Sequence, residues 1–179
     1  RVRTTLQHTG VPAYELPVAP LDDDANLEIL RELPIEVLVF SGYQTGILPQ
    51  AALRIGKRFL HVHGGHIPEY RGSTTFYYSI LSQGLMGASA IWMDHGIDTG
   101  PVILRREYVV PKGINIDYIL DPLVRADTLA AVMLQRARDK GWPTSEILSA
   151  DIGQTFHKIH PVLKHLALAK CGLLQAEST

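Results

Sequence analysis

Apolar residues arrive in short bursts between polar breaks, and their spacing switches between the period of strands and that of helices. Ile35-Glu36-Val37-Leu38-Val39-Phe40, ended by Ser41-Gly42, is apolar and β-branched and predicts a buried strand. Phe59 to His63, Ala88 to Met93 and Pro101 to Val110 predict three more. Between them, Asp22-Asp23-Asp24 offers an N-cap and first-turn acidity to a helix reaching Glu32, where Pro34 breaks it. Pro49 to Ile55 reads as one or two helical turns closed by Gly56. Ser73 or Thr74 can cap a helix to Gln83, with Gly84 just past its end. Leu123, Leu129, Val132 and Met133 recur near three-four spacing and predict a helix from Ile116 to about Lys140, kinked or in two pieces at Asp121-Pro122. Residues 2 to 8 read as the end of a helix, and Val162 to Leu168 as a last amphipathic piece.

Strands alternating with helices predict the α/β class: a doubly wound, mostly parallel sheet of Rossmann type with helices on both faces. Ligands of such sheets sit beyond the carboxyl ends of the strands, which points to the residues after Phe40 and Leu60. Residues 1–140 are expected to form the catalytic domain and 141–179 a C-terminal extension packed on it. Because the chain opens on Arg1 in mid-pattern, an N-terminal segment is expected to precede it.

Composition narrows the function classes. The 179 residues are 46% hydrophobic, enough for one domain with a full core. Seventeen basic residues nearly balance 18 acidic ones, and the pairs Lys57-Arg58 and Arg105-Arg106 are short and separated. Nucleic acid is therefore not an expected partner, since phosphate binding needs clustered cations. No apolar run approaches the roughly 18 residues of a membrane span. The single Cys171 fits a reducing compartment, so a cytoplasmic location is expected. The apolar residues Leu163, Leu166, Leu168, Leu173 and Leu174 read as cover for the domain's own core, with a homodimer contact as the alternative.

The densest chemistry lies in Phe59-Leu60-His61-Val62-His63-Gly64-Gly65-His66-Ile67-Pro68-Glu69-Tyr70-Arg71-Gly72. On a strand, His61 and His63 point to the same face. One histidine there is most often structural; three in six residues beside a glycine pair suit catalysis or metal binding. A second constellation, Met93-Asp94-His95-Gly96-Ile97-Asp98-Thr99-Gly100-Pro101, lies between two predicted strands and could be an ordinary turn. Paired with the histidines it gains another meaning, because a carboxylate beside an imidazole orients it and raises its pKa. The same residues allow a rival reading, a zinc-dependent hydrolase built on His61, His63 and His66 with Asp94 or Asp98.

Together the two segments resemble the folate-dependent formyltransferases, a family that includes methionyl-tRNA formyltransferase and the nucleotide-sugar N-formyltransferases. Its first motif, roughly Asn-x-His-Gly/Pro-Ser-Leu-Leu-Pro-x-Tyr/Trp-Arg-Gly, is matched at His63, Gly64, Pro68, Tyr70, Arg71 and Gly72. Its second, roughly Met-Asp-x-Gly-Leu-Asp-Thr-Gly, is matched at Met93, Asp94, Gly96, Asp98, Thr99 and Gly100. Gly46-Ile47-Leu48-Pro49 resembles the family's folate-side loop, and the likeness runs from about Val11 to Val110.

The resemblance implies transfer of a formyl group from 10-formyltetrahydrofolate, the co-substrate, to an amine. His63 carries over as the proton-transferring histidine and Asp98 as the carboxylate that orients and charges it. Ile47 and Leu48 would flank the pterin, with plain core packing as the alternative. The backbone of Asp94 to Asp98, Gly96 included, would read the pterin's hydrogen-bonding edge. The tRNA-specific relatives carry an extra basic C-terminal domain, and no basic stretch follows Lys140 here, so a small amine is expected, first a nucleotide-linked amino sugar. Tyr70, Arg71 and Tyr77 are candidates to hold that acceptor.

The departures matter too. His61 stands at the family's Asn position, Gly65 at its Ser and His66-Ile67 at its Leu-Leu. Losing one oxyanion donor commonly costs about 10²–10³ in rate. His61 either replaces that donor or leaves a homologue that binds folate without turnover.

Overall fold

A computed structural model of the chain describes residues 2–16, 20–41, 48–149 and 151–173. Its strands are β1 (Val37–Phe40), β2 (Arg58–His63), β3 (Tyr70–Gly72), β4 (Leu85–Trp92), β5 (Val102–Val109) and β6 (Gln154–Phe156). Its α-helices are α1 (Val2–Thr9), α2 (Asp24–Glu32), α3 (Gln50–Leu53), α4 (Thr75–Gln83), α5 (Asp121–Asp139) and α6 (Pro161–Lys170).

Four strands form the main sheet in the order β1-β2-β4-β5. The α/β class is as the sequence predicts, but the pairing is mixed. β1 and β2 are parallel, with Val39 opposite Leu60, whereas β2–β4 and β4–β5 are antiparallel. For β4–β5, chain geometry gives the reason. Residues 93–101 join β4 to β5, fewer than the dozen or so that a parallel crossover needs. Upstream, Gly84 closes α4 at φ 76°, bonding back to Ile80 and Ser79, and Leu85 enters the sheet at once.

Helices cover both faces. Phe59 packs with Leu27 of α2 and with Ala52 on one side. Its neighbours Leu60 and Val62 face the larger core with Phe76, Tyr77 and Ile80 of α4, Val124 and Val132 of α5, and Ala167 of α6. β4 is central and buried on both faces from Met86 to Trp92, which explains its unbroken run of small and apolar residues. At a rough 25 cal/mol per Å² of apolar area, this two-sided burial is the main force holding β2 in place.

Local details keep the sequence pattern in places and depart from it in others. Asp23 is the N-cap of α2 and accepts from the Ala25 amide at 3.0 Å. Thr74 precedes α4 in a left-handed conformation and makes no side-chain cap; its hydroxyl oxygen instead accepts from the Ile159 amide at 2.9 Å. At Asp121-Pro122 the stretch is in two pieces, the second of the two expected alternatives, and Pro122 does not kink a helix. A π turn at Ile116–Leu120 leads into α5, and Pro122 sits in its first turn, where no amide donor is needed.

The chain after Lys140 joins the same core. β6 pairs in parallel with β3, placing Phe156 opposite Gly72, and Ile159, Ala167 and Cys171 belong to the large cluster. Leu163 and Leu166 stay exposed, while Leu168 and Leu173 pack on the core and Leu174 lies outside the described residues. Among the described residues, no helix is long and apolar enough to cross a membrane.

Candidate active site

β2 ends in the two histidines, on the strand face opposite Leu60 and Val62. His63 is buried, with 5% of its surface exposed. Its Nε2 lies 2.9 Å from the Tyr70 carbonyl and 3.3 Å from Thr75 Oγ1, while that hydroxyl donates its own proton to the Gly64 carbonyl at 2.5 Å. Both neighbours of Nε2 are therefore acceptors, and Nε2 carries the proton. Nδ1 is left with a bare lone pair, 3.4 Å from Asp98 Oδ2. With Nδ1 unprotonated both atoms are acceptors, and the contact becomes a hydrogen-bonded ion pair only when Nδ1 gains a proton.

His61 has the opposite tautomer. Its Nδ1 lies 2.9 Å from the Phe40 carbonyl, which can only accept, so Nε2 is the bare nitrogen. Burial pushes the pKa of both rings below the ordinary imidazole value of about 6.5. Arg125 pushes the same way, and Asp98 pushes back on each. Both imidazoles are neutral at pH 7.

Asp98 reaches the histidines from the turn between β4 and β5. Its backbone has φ 54°, a left-handed conformation uncommon for a residue with a side chain. Such outliers cluster where a site needs a side chain aimed in an otherwise unavailable direction. Oδ2 also accepts from the Gly72 amide at 2.8 Å, which fixes the carboxylate. Gly72 must pass close to β6, because a Cβ there would run into the Phe156 backbone, and its φ of 95° also suits glycine alone. Asp94 organises the same turn: Oδ1 accepts from the Gly96 amide and from the Thr99 hydroxyl, each at 2.9 Å.

These groups open onto a cleft of about 760 Å³, within the usual range for small-molecule sites. His61, His63, Asp98, Leu48, Met93 and the 94–97 turn line one part of it. Arg125, Gly72 to Thr75 and the stretch Thr155 to Lys158 line the rest. Leu48 is only 3% exposed and packs in the cluster of Phe59 and Ala52, so it serves the core while edging the cleft. Ile47 lies outside the described residues.

Other candidates go elsewhere. His66 does not join His61 and His63; its Nδ1 pairs with Glu69 at 3.0 Å. Tyr70, Arg71 and Tyr77 do not line the cleft. Tyr77 is fully buried and its hydroxyl bonds Asp117, Tyr70 is bound to Ser82, and Arg71 is buried with Nη1 on the Ile152 carbonyl. Tyr70 and Arg71 lie on the short β3 and Tyr77 on α4, and Ser82, the Ile152 carbonyl and Asp117 lie away from this cleft.

Nothing in the local pattern pointed to Arg125, Thr75 or Lys158. The only available hint for Arg125 was Asp121 four residues before it, a spacing that pairs charges on a helix. Arg125 does bind Asp121 at 2.8 Å, and it also donates Nη1 to the Val62 carbonyl at 2.9 Å.

Comparison with known proteins gives one family pattern and a set of relatives. The formyl transferase family pattern matches residues 9–120. The chain is 29% identical over 130 residues to a methionyl-tRNA formyltransferase of Syntrophus aciditrophicus, covering 70% of this chain and 40% of that relative. Across three such relatives it spans 30% to 53% of their length. Among solved structures, the phosphoribosylglycinamide formyltransferase of Streptococcus pneumoniae TIGR4 superimposes with a TM-score of 0.59 at 24% identity, covering 77% of this chain and 80% of that one. The formyltransferase PseJ of Anoxybacillus kamchatkensis, in complex with UDP-4,6-dideoxy-4-formamido-L-AltNAc and tetrahydrofolate, gives 0.58 at 16% identity over 87% and 79%. At these identities the two structures speak for the fold.

Proposed function

The chain belongs to the formyl transferase family, and we propose that it moves a formyl group from 10-formyltetrahydrofolate to the amine of a small molecule, first a nucleotide-linked amino sugar. The observation that carries this reading is the bare Nδ1 of His63 beside Asp98, 3.4 Å away, with both residues lining one cleft. The cleft suits a reduced folate: Leu48 and Met93 give apolar contact, and the backbone of 94–98 gives a polar edge. Bound there, the folate would supply the formyl carbon as electrophile.

This chain's residues then handle protons and charge. An amine attacking the formyl carbon acquires a surplus proton, and His63 Nδ1 is placed to take it. Asp98 stabilises the resulting imidazolium, and Nε2 stays tied to the Tyr70 carbonyl throughout. When the bond from carbon to the folate nitrogen breaks, the same Nδ1 returns its proton to that nitrogen, so the balance closes.

The oxyanion needs a donor, and neutral His61 offers the cleft a lone pair instead. Arg125 fills that role in this proposal. Its Nε and Nη1 are committed to Asp121 and Val62, while Nη2 has no hydrogen-bond partner among the described residues. A phosphate-bearing acceptor fits the rim, where His95, His157 and Lys158 bring cationic or donating groups.

Incubation with 10-formyltetrahydrofolate and a panel of amines tests the reading. Turnover with an amino-sugar nucleotide is expected. Absence of turnover with every amine, in protein shown to be folded, would sink it and leave a folate-binding homologue.

A further inference from the structure

We infer that His61, His63 and Asp98 also form a binding site for a divalent transition-metal ion of the zinc class. One ligand atom from each of the three lies within 4.8 Å of the others. Two imidazole nitrogens and one carboxylate make a common three-ligand set for zinc, with water completing the fourth position.

Convergence alone is weak support, since a proton relay also brings such groups together. The tautomers carry the inference further. Histidines that bind metals typically give their other ring N–H to a carbonyl or carboxylate, which fixes the ring and aims the bare nitrogen. Here both do so independently, His61 to the Phe40 carbonyl and His63 to the Tyr70 carbonyl, each at 2.9 Å. A relay requires only one bare nitrogen; this chain presents two, beside one carboxylate.

One distance agrees with that arrangement. Two ligands about 2.0–2.1 Å from zinc at a tetrahedral angle stand roughly 3.4 Å apart. The observed spacing of His63 Nδ1 and Asp98 Oδ2 is 3.4 Å. Asp98 is held from behind by the Gly72 amide at 2.8 Å, a second supporting contact. The nearby Arg125 guanidinium is paired with Asp121 at 2.8 Å, which offsets its repulsion of a cation. His66 and Asp94 take no part, since Glu69 and the Gly96–Thr99 turn engage them.

The inference rests in part on the transfer reading, because it predicts regulation of that same site. A metal bound at Nδ1 of His63 occupies the lone pair that takes the amine's proton. Zinc therefore switches formyl transfer off, and a chelator restores it.

The test uses the whole chain, stripped with a chelator and dialysed. Calorimetric titration with zinc chloride, and optical titration with cobalt(II) as a geometric probe, read binding without any need for activity. One ion per chain is expected, with affinity lowered by at least about 100-fold in His61→Asn and in Asp98→Asn. His66→Ala should bind as the parent does. Circular dichroism identifies any variant that has lost its fold, and loss of fold in His61→Asn moves the decision to the Asp98→Asn and His66→Ala titrations. No stoichiometric ion in the parent overturns the site, as does undiminished binding in the His61 and Asp98 variants or its loss in His66→Ala. If transfer is never detected, the titrations still decide the metal site. If transfer is detected and persists with zinc bound, the assignment of the ion to His63 fails.

Discussion

His61 gives its Nδ1–H to the carbonyl of Phe40 at 2.9 Å, and this bond between neighbouring parallel strands turns a lone pair, not a donor, toward the cleft. The residue at the family's Asn position therefore does not mimic an amide. Charge stabilisation is expected from elsewhere in the site. His61→Asn should keep or raise the transfer rate, because it restores a neutral donor. A fall of tenfold or more in kcat, in folded protein, would show that His61 itself supplies the charge.

Arg125 is the proposed source of that charge. Replacing it with Met should lower kcat by about 10²–10³, the usual effect of losing an oxyanion donor. The same change leaves the Val62 carbonyl without its donor, at a cost of about 1–3 kcal/mol. Steady-state kinetics and denaturant unfolding on one preparation separate the two effects. A loss of stability with unchanged kcat would leave Arg125 a purely structural role.

The two histidines make the protein sensitive to mild acid. Their pKa values are lowered in the fold, chiefly by burial. The unfolded chain then binds more protons than the native one just below pH 6.5, so stability increases with pH there. This contribution is fully present above about 6.5 and is lost as pH falls through the lowered native values. Thermal unfolding from pH 8 to 5 should show Tm falling below about 6.5, and the fall should shrink in His61→Asn. A Tm that is flat across this range would contradict the buried neutral state.

Gly65 shows how tightly the loop after β2 is held. A Cβ there would lie 2.5 Å from the Tyr70 carbonyl and 2.7 Å from His63 Nε2. The loop cannot easily retreat, because Ser89 Oγ donates to the Gly65 carbonyl at 2.7 Å and accepts from the Ile67 amide at 3.0 Å. Gly65→Ser, although it restores the family's usual residue, should destabilise the protein by about 1–3 kcal/mol and reduce activity by displacing the His63 ring. Unchanged unfolding and kinetics would mean that the loop relaxes freely.

How much of this was legible in the sequence depended on the range of the interaction involved. β1, β2, β4 and β5 were readable because Val37–Phe40 and Phe59–His63 carry local apolar patterns bounded by turn residues. The short strands β3 and β6 were not, since three-residue stretches such as Gln154–Phe156 take strand form only through pairing across some eighty positions. Parallel pairing was over-predicted because alternation of elements does not reveal the direction in which β4 runs beside β2 and β5.

The site followed the same rule. His63 and Asp98 were found through motif spacing, and they stand together in the fold. Arg125 and the Phe156 to Lys158 wall were missed, because contacts such as Arg125 with the Val62 carbonyl have no local signature. Tyr77 and Arg71 do not line the cleft for the converse reason: polar groups beside a motif look available until their partners, Asp117 and the Ile152 carbonyl, are known.

The proton relay stands or falls on one atom. Nitrogen-15 NMR of the histidine rings across pH reads it directly. His63 should keep its proton on Nε2 at neutral pH and titrate at Nδ1, with a pKa below about 6.5 that drops further in Asp98→Asn. A neutral ring protonated at Nδ1, or a titration indifferent to Asp98, would contradict it.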